Sequence, residues 1–432
     1  MNEKKQKLAI IGSGISGLSS AYFLKDHFEI TLFEKNSKIG GHTNTIEEKG
    51  LKFDTGFMVF NEITYPNFTN FLKKLNVKYE NTSMSFSVQH RGSGLEYSGS
   101  GFSGLFSQKK NIFNLQFLKM LNDINRFNKK SLSLVELNKG LTIGELCQKL
   151  NLGTDFYEKY LVPMSSAVWS ASVEKMDKFP AKFLVQFFAN HGFMGLNTQH
   201  QWKTVIGGSQ NYILKLKEQM TRDILVNEEV LEVGLNVVAG QKNKWVIKTK
   251  KNQYIDFDKI VFACHADETY RLLLNKSSLE EELLSKFQYQ KNIAIVHQDE
   301  KVMPQKRSVW SSWNSVTPIG AKGNLAGKSF NVYYMNMLQK LNSKELIFIN
   351  INGEEFVQKD KVLKKIEYSH PIFNLETEIA QNKILKLNRQ FEGSVKRELY
   401  FCGSYFKYGF HEDGIWSSKM MSQDILGHEI TL

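Results

Sequence analysis

Three glycines, Gly12, Gly14 and Gly17, follow directly on the apolar run Leu8-Ala9-Ile10-Ile11 and open the small, apolar stretch Leu18 to Leu24. Strand, glycine turn and helix in that order form the start of a βαβ dinucleotide-binding unit. Gly12 permits the tight turn, Gly14 lets a diphosphate approach the backbone, and Gly17 lets helix and strand pack closely. Ile15 and Ser16 lie at the helix N-terminus, where free N–H groups and the helix dipole favour bound phosphate. A second strand, Glu29 to Phe33, ends at Glu34 and Lys35. A carboxylate there can accept hydrogen bonds from ribose hydroxyls and favours an unphosphorylated ribose. The same glycine spacing recurs at Gly99, Gly101 and Gly104. That copy follows Leu95-Glu96-Tyr97-Ser98 and no strand-terminal acid comes after it, so it reads as a flexible loop.

At 432 residues the chain exceeds what one hydrophobic core holds, which predicts two intimately packed domains. The net charge of +12 is carried mostly by lysines spread from Lys4 to Lys419. Such a spread speaks against a dedicated nucleic-acid module; it reads as a solvated surface that also suits an anionic membrane. Cys147, Cys264 and Cys402 form no CxxC pair and are odd in number, which points to a reducing compartment. No run approaches the ~18 apolar residues of a membrane span, so the expected location is the cytoplasm, with at most peripheral contact at the inner face of the membrane. No clustered Cys or His ligands point to a metal.

The segments after Glu34 say which dinucleotide. Gly40-Gly41-His42-Thr43 and Asp54-Thr55-Gly56-Phe57-Met58 are elements that a nicotinamide unit does not need. Near the C-terminus, Leu399 to Ser404 reads as a strand with a glycine turn at Gly403, and Glu412-Asp413-Gly414-Ile415 opens a last helix. Together these resemble the amine-oxidase superfamily of FAD enzymes. The resemblance implies non-covalent FAD, with the Gly40-Gly41 turn along the pyrophosphate and Thr55 to Met58 close to the flavin. It places Val230 in the cofactor site and aims the last helix at the flavin pyrimidine. A covalent link through Cys402 is the disfavoured alternative. The fold it implies is α/β, a Rossmann-type FAD-binding domain of amine-oxidase type interleaved with a mixed α+β substrate domain. Residues 1–88, 205–268 and 390–432 would form the first, 89–204 and 269–389 the second.

Longer strings, among them Met84 to Ser87, Trp202 to Gly208, Trp310 to Asn314 and Tyr405 to Gly414, resemble one bacterial branch of the superfamily. That branch tends to accompany cyclopropane-fatty-acid-synthase-type methyltransferases. It implies an oxidoreductase that dehydrogenates a lipid-borne, methylated fatty acyl chain; a flavin amine oxidase and a redox-neutral fatty-acid isomerase are the alternatives. No second dinucleotide fold is evident, so the electron acceptor, O2 or a redox partner, lies outside the chain. For chemistry beside the flavin the candidates are His411, Trp313, Tyr334 and Asn336. Phe179, Phe183, Phe187, Phe188, Phe193 and Met194 would line a hydrocarbon channel. Phe113, Phe117, Met120, Leu121, Ile124 and Phe127 share a helical face beside several lysines; that spacing usually means core, with a membrane-dipping helix as the alternative.

Overall fold

Leu8, Ala9 and Ile10 have no exposed surface because their strand is the middle of a parallel sheet. The computed structural model describes residues 5–169, 176–195, 198–220, 224–236, 244–319, 329–392 and 395–432. Lys7–Ile11 pairs with Glu29–Phe33 on one side and Lys259–Phe262 on the other. Ile224–Leu225 and Leu399–Phe401 complete the five strands at the two edges. Parallel neighbours must be joined by crossovers, which is why segments hundreds of residues apart meet in one sheet. Two helices, Ile15–Leu24 and His411–Leu426, pack against each other beside it. They approach without room for a side chain, since a Cβ on Gly414 would lie 2.7 Å from Cγ2 of Ile15; the first helix also meets its own glycine turn, where a Cβ on Gly17 would lie 1.9 Å from the carbonyl oxygen of Gly12.

A second sheet has seven strands in the order Val362–Ile372, Gln288–His297, Phe348–Ile351, Phe330–Tyr334, Trp313–Thr317, Phe86–His90, Leu95–Ser98. All its pairings are antiparallel except Trp313–Thr317 with Phe86–His90. The division expected at residue 88 falls inside the Phe86–His90 strand. Helices Leu115–Leu137 and Ala181–Asn190 form an apolar layer of their own, with Phe127, Phe156 and Phe188 at its centre. Of the helical face expected from the sequence Phe117, Met120 and Phe127 are core, Leu121 and Ile124 are partly buried, and Phe113 lies before the helix and is exposed.

Three expectations need correction. The aromatic run Phe330 to Met337 predicts a single strand, but the strand ends at Tyr334 and Met335–Leu338 is a helical turn, closed by the Gln339 N–H on the Met335 carbonyl. Gly101–Leu105 is a short helix rather than a loop, held where Gly104 lies too close to Ser98 to carry a side chain. The runs Ile224 to Val233 and Lys244 to Lys248 predict a small antiparallel addition, but Ile224–Leu225 joins the parallel sheet. The addition is Val230–Asn236, Lys244–Thr249 and a third strand, Gln253–Phe257, whose mostly exposed residues give no apolar alternation to read.

Because the extra methyl of Gly17→Ala meets backbone rather than a movable side chain, that variant should lose about 3 kcal/mol in urea-induced unfolding. An unchanged midpoint would mean that helix and turn are not in contact as described.

Candidate cofactor and substrate cavity

A cavity of about 990 Å³ lies between the two sheets, and its walls differ in chemistry from end to end. At one end the glycine turn supplies Gly12, Gly14, Ile15 and Ser16, and the loop from the second segment supplies Gly40 to Thr43. Gly12 (φ +101°), Gly40 (φ +116°) and Gly41 (φ +59°) occupy the region that disfavours side chains. A Cβ on Gly41 would sit 3.2 Å from Cα of Gly14, whereas one on Gly14 would meet nothing within 4 Å. Gly14 therefore presents bare backbone to open space at the N-terminus of a helix. Gly17 lies behind this surface, against the strand.

Glu34 lies at the same end and is buried; it accepts hydrogen bonds from the Ser13 backbone (3.1 Å), Ser13 Oγ (2.5 Å) and the Asn36 backbone (2.8 Å). Lys35 forms an ion pair with Glu268, and Val230 and Gly403 also line the cavity. Thr55, Gly56, Phe57 and Met58 form the wall next to His42. Gly56 is obligatory there, since a Cβ would lie 2.2 Å from the His42 carbonyl oxygen. Asp54, just before them, is fully buried and accepts from the Ser209 backbone (2.9 Å), Ser209 Oγ (2.6 Å), Thr45 Oγ1 (2.6 Å) and Gln339 Nε2 (2.7 Å). Burial pushes its carboxyl pKa up, while these hydrogen bonds pull it down.

His411 lines the cavity but is committed to structure. Its Nε2 lies 2.9 Å from Thr43 Oγ1 and 3.1 Å from the Tyr212 hydroxyl, and its ring stacks on Phe57 at 3.7 Å. Burial pulls its pKa down to about 3, so it is neutral at pH 7. His42 stacks on Tyr368 (5.1 Å) and lies 5.3 Å from His370, which burial pulls down to about 4. Tyr368 in turn bonds to Thr55 Oγ1 at 2.7 Å. Nothing local in the sequence marks Tyr212 or Tyr368 as site residues, because their hydrogen-bond partners lie 169 or more positions away in the chain.

The catalytic candidates separate by strand alternation. Trp313 and its cross-strand partner Tyr333 are on the wall. Tyr334 points to the other face, against Trp310 and Phe348, and Asn336 bonds to the backbone of Glu345 and Ile347. Tyr334 and Asn336 are therefore packing and turn residues; successive strand positions face opposite ways, and Tyr333 is the one that faces in. Glu412, Asp413, Gly414 and Ile415 are likewise not on the wall. Glu412 caps the helix Pro66–Lys74 by accepting from Asn67 Nδ2 (2.6 Å) and the Phe68 backbone (2.9 Å). Asp413 accepts from the Phe410 backbone (2.9 Å), and burial raises its carboxyl to about 7. Gly414 and Ile415 pack against the first helix and the core.

The far end of the cavity is apolar. Trp169, Phe187, Phe193, Trp202 and Phe410 line it together with Met84, Phe373 and Tyr408. Phe187 stacks on Phe410 at 5.2 Å and touches Trp169 at 4.8 Å. Of the phenylalanines expected around a channel, Phe187 and Phe193 reach the wall, while Phe179, Phe183 and Phe188 are core. Among the described residues, no group of three or more His, Cys, Asp or Glu could hold a metal ion.

The sequence pattern of the family described as flavin containing amine oxidoreductase matches residues 15–327, well over half of the chain. The chain belongs to this family. Solved structures similar to it over nearly their whole length include a putative protoporphyrinogen oxidase from Exiguobacterium sp. 255-15 (TM-score 0.65, 15% identity, 98% of this chain and 99% of that one). Others are wild-type putrescine oxidase bound to putrescine (TM-score 0.67, 13% identity, 98% and 100%) and a CLA-producing fatty acid isomerase from P. acnes (TM-score 0.66, 13% identity, 99% and 99%). At such identities they show the amine-oxidase fold. Among curated proteins, 4,4'-diapophytoene desaturase (4,4'-diaponeurosporene-forming) of Staphylococcus aureus strain Newman is 41% identical over 51 residues, which is 12% of this chain and 10% of that protein.

The family's cofactor is FAD, and this chain is an FAD-dependent oxidoreductase. The residues present fit that cofactor: bare backbone at Gly14, a buried acid at Glu34 and an elongated cavity joining them to the aromatic end. Cys402 lies away from the cavity, its Sγ 3.5 Å from Ser20 Oγ between the two packed helices, and burial raises its thiol to about 12.

Gly14 has φ −67°, which any residue adopts, and open space in front of it. Gly14→Val should therefore fold with an unchanged melting temperature as apoprotein, yet lose bound FAD and its yellow absorbance. Full FAD occupancy in that variant would misplace the phosphates. A second expectation concerns pH. His370 has a folded pKa below its unfolded value of about 6.5, so the unfolded chain takes up its proton first and stability falls as pH drops from about 6.5 to about 4. Asp413, raised to about 7, acts in the opposite sense over that range. The difference between wild type and His370→Gln isolates the histidine; it should reach on the order of 3 kcal/mol by pH 4 in denaturant titrations.

Proposed function

We propose that the chain desaturates a long acyl chain carried by a lipid, one carbon giving a hydride to the flavin and its neighbour a proton to a neutral imidazole of the cavity wall such as His42, and that this acyl chain lies along the aromatic end of the cavity. The observation that carries the reading is the composition of that end. Trp169, Phe187, Phe193, Trp202 and Phe410 form one continuous apolar wall with Trp313 and Tyr333 beside it. Burying each methylene of a substrate there is worth about 0.8 kcal/mol, so a long chain binds without needing any polar group near the reacting carbon. FAD, when bound, supplies the hydride acceptor. The residues of this chain hold the substrate straight, exclude water and keep neutral imidazoles, His42, His370 and His411, beside the reaction space.

In this reading the glycine turn, Gly40 to Thr43, Thr55 to Met58, Glu34, Lys35, Val230 and Gly403 hold FAD, and the lining supplied by the seven-stranded sheet and the helical layer holds substrate. The similarity to the P. acnes fatty acid isomerase and the short match to a desaturase support an apolar substrate; the similarity to putrescine oxidase supports the amine alternative. The branch resemblance adds that the acyl chain is one already methylated, and the electrons then pass to O2 or to a redox partner.

Anaerobic mixing with vesicles or dispersed lipids of varied acyl chains should bleach the flavin, and polyamines should not. Phe193 is only partly buried and lines the cavity, so Phe193→Asp should leave FAD bound while cutting the reduction rate by about tenfold or more. Rapid bleaching by amines with a silent lipid panel would replace this reading by an amine oxidase. Lipid product formed without lasting bleaching would replace it by an isomerase.

A further inference from the structure

Large apolar side chains stand out of the surface in one short stretch of chain. Phe102 is 73% exposed, Phe113 87% and Leu115 81%, with Ile112 and Leu118 beside them also exposed. They lie on consecutive short elements, the helix Gly101–Leu105, the helical turn Lys109–Phe113 and the first turn of the helix Leu115–Leu137. Scattered exposed hydrophobics are ordinary; five within seventeen residues form a patch that needs a partner. The patch is held rather than loose. Phe102 packs on Phe106 (4.6 Å) and Phe106 on Phe117 (5.9 Å), while Asn114 caps the long helix by accepting from the Gln116 and Phe117 backbone.

The charge around the patch is of one sign. From Tyr97 to Asn122 the chain has no Asp or Glu, and Lys109, Lys110 and Lys119 are exposed. None of the three lysines is in an ion pair among the described residues. An apolar tip ringed by unpaired lysines is complementary to a surface that is apolar within and anionic outside. We propose that this tip docks the protein on an anionic lipid bilayer, with Phe102, Phe113 and Leu115 entering the acyl boundary and the lysines resting on headgroups. Phe117, under the tip, belongs to the same apolar cluster as Phe187 on the cavity wall, so the docked surface and the cavity are joined by one packed layer. The docking tip shares only Phe113 with the helical face expected from the sequence; Phe117, Met120 and Phe127 of that face are buried.

The proposal stands on the surface alone and survives a change of substrate. Its test is co-sedimentation of the FAD-loaded protein with phosphatidylcholine vesicles with and without phosphatidylglycerol. Binding should need phosphatidylglycerol, weaken with salt, and fall by about tenfold or more in the double variant Phe113→Ser and Leu115→Ser. Lys109→Gln with Lys110→Gln should remove most of the preference for phosphatidylglycerol, and Ile255→Ser, at a remote exposed site, should change nothing. Both tip variants should keep the wild-type melting temperature and flavin spectrum. Equal binding by wild type and the Phe113/Leu115 variant would overturn the proposal. So would self-association in ultracentrifugation that these substitutions abolish while wild type ignores vesicles, since the tip would then cover a second copy. Flavin bleaching by detergent-dispersed lipid should be the same in wild type and tip variants; its loss in wild type would sink the acyl-chain reading and leave the docking result untouched.

Discussion

The geometry of the cavity depends on one buried carboxylate. Asp54 has no exposed surface, and its oxygens collect donors from Thr45, from Ser209 at the start of the helix Gln210–Glu218, and from Gln339 just beyond the turn Met335–Leu338. Gln339 also accepts from the Asp54 backbone, closing a two-way bond (2.7 Å each way). A buried carboxylate without these partners would cost several kcal/mol, so the three segments are held together or not at all. One of them carries the cavity wall Thr55 to Met58 and another continues from the seven-stranded sheet, which fixes the nucleotide-binding end and the aromatic end relative to each other.

Around that clamp the backbone comes close where glycine allows it. Gly41 against Gly14, Gly56 against the His42 carbonyl and Gly414 against Ile15 are contacts between segments far apart in the chain. The first two lie on the cavity wall and leave space there for a ligand; the third joins the two helices behind it. The imidazoles that share the wall, His42, His370 and His411, are neutral through burial.

What the sequence made legible follows from locality. The first strand, its glycine turn and the acid at Glu34 span fewer than thirty residues, and their spacing alone places them. The aromatic end was legible only as a tendency: Phe187 reaches the cavity while its helix neighbour Phe188 does not, because a helix sends neighbouring residues to different sides, and Phe193 reaches the wall from beyond the helix end. Tyr333 faces in and Tyr334 faces out, because the two-residue period of a strand turns a shift of one position into the opposite face. Glu412 and Asp413 carry the charge that marks a site, yet both satisfy helix ends, and only the position of Asn67 and Phe410 reveals it. Asp54 shows the reverse, a residue next to the predicted cofactor segment whose side chain turns to Thr45, Ser209 and Gln339 and holds the walls together.

The central claim is that a carbon–hydrogen bond of an acyl chain breaks in the aromatic end of this cavity. Stopped-flow reduction of the bound flavin without oxygen, comparing a lipid with ordinary acyl chains and one with deuterated acyl chains, addresses it most directly. The account predicts that both reduce the flavin and that deuteration slows the reduction clearly. Equal rates would place the broken bond elsewhere, and a flavin that stays oxidised with every lipid but is reduced by an amine would contradict the account.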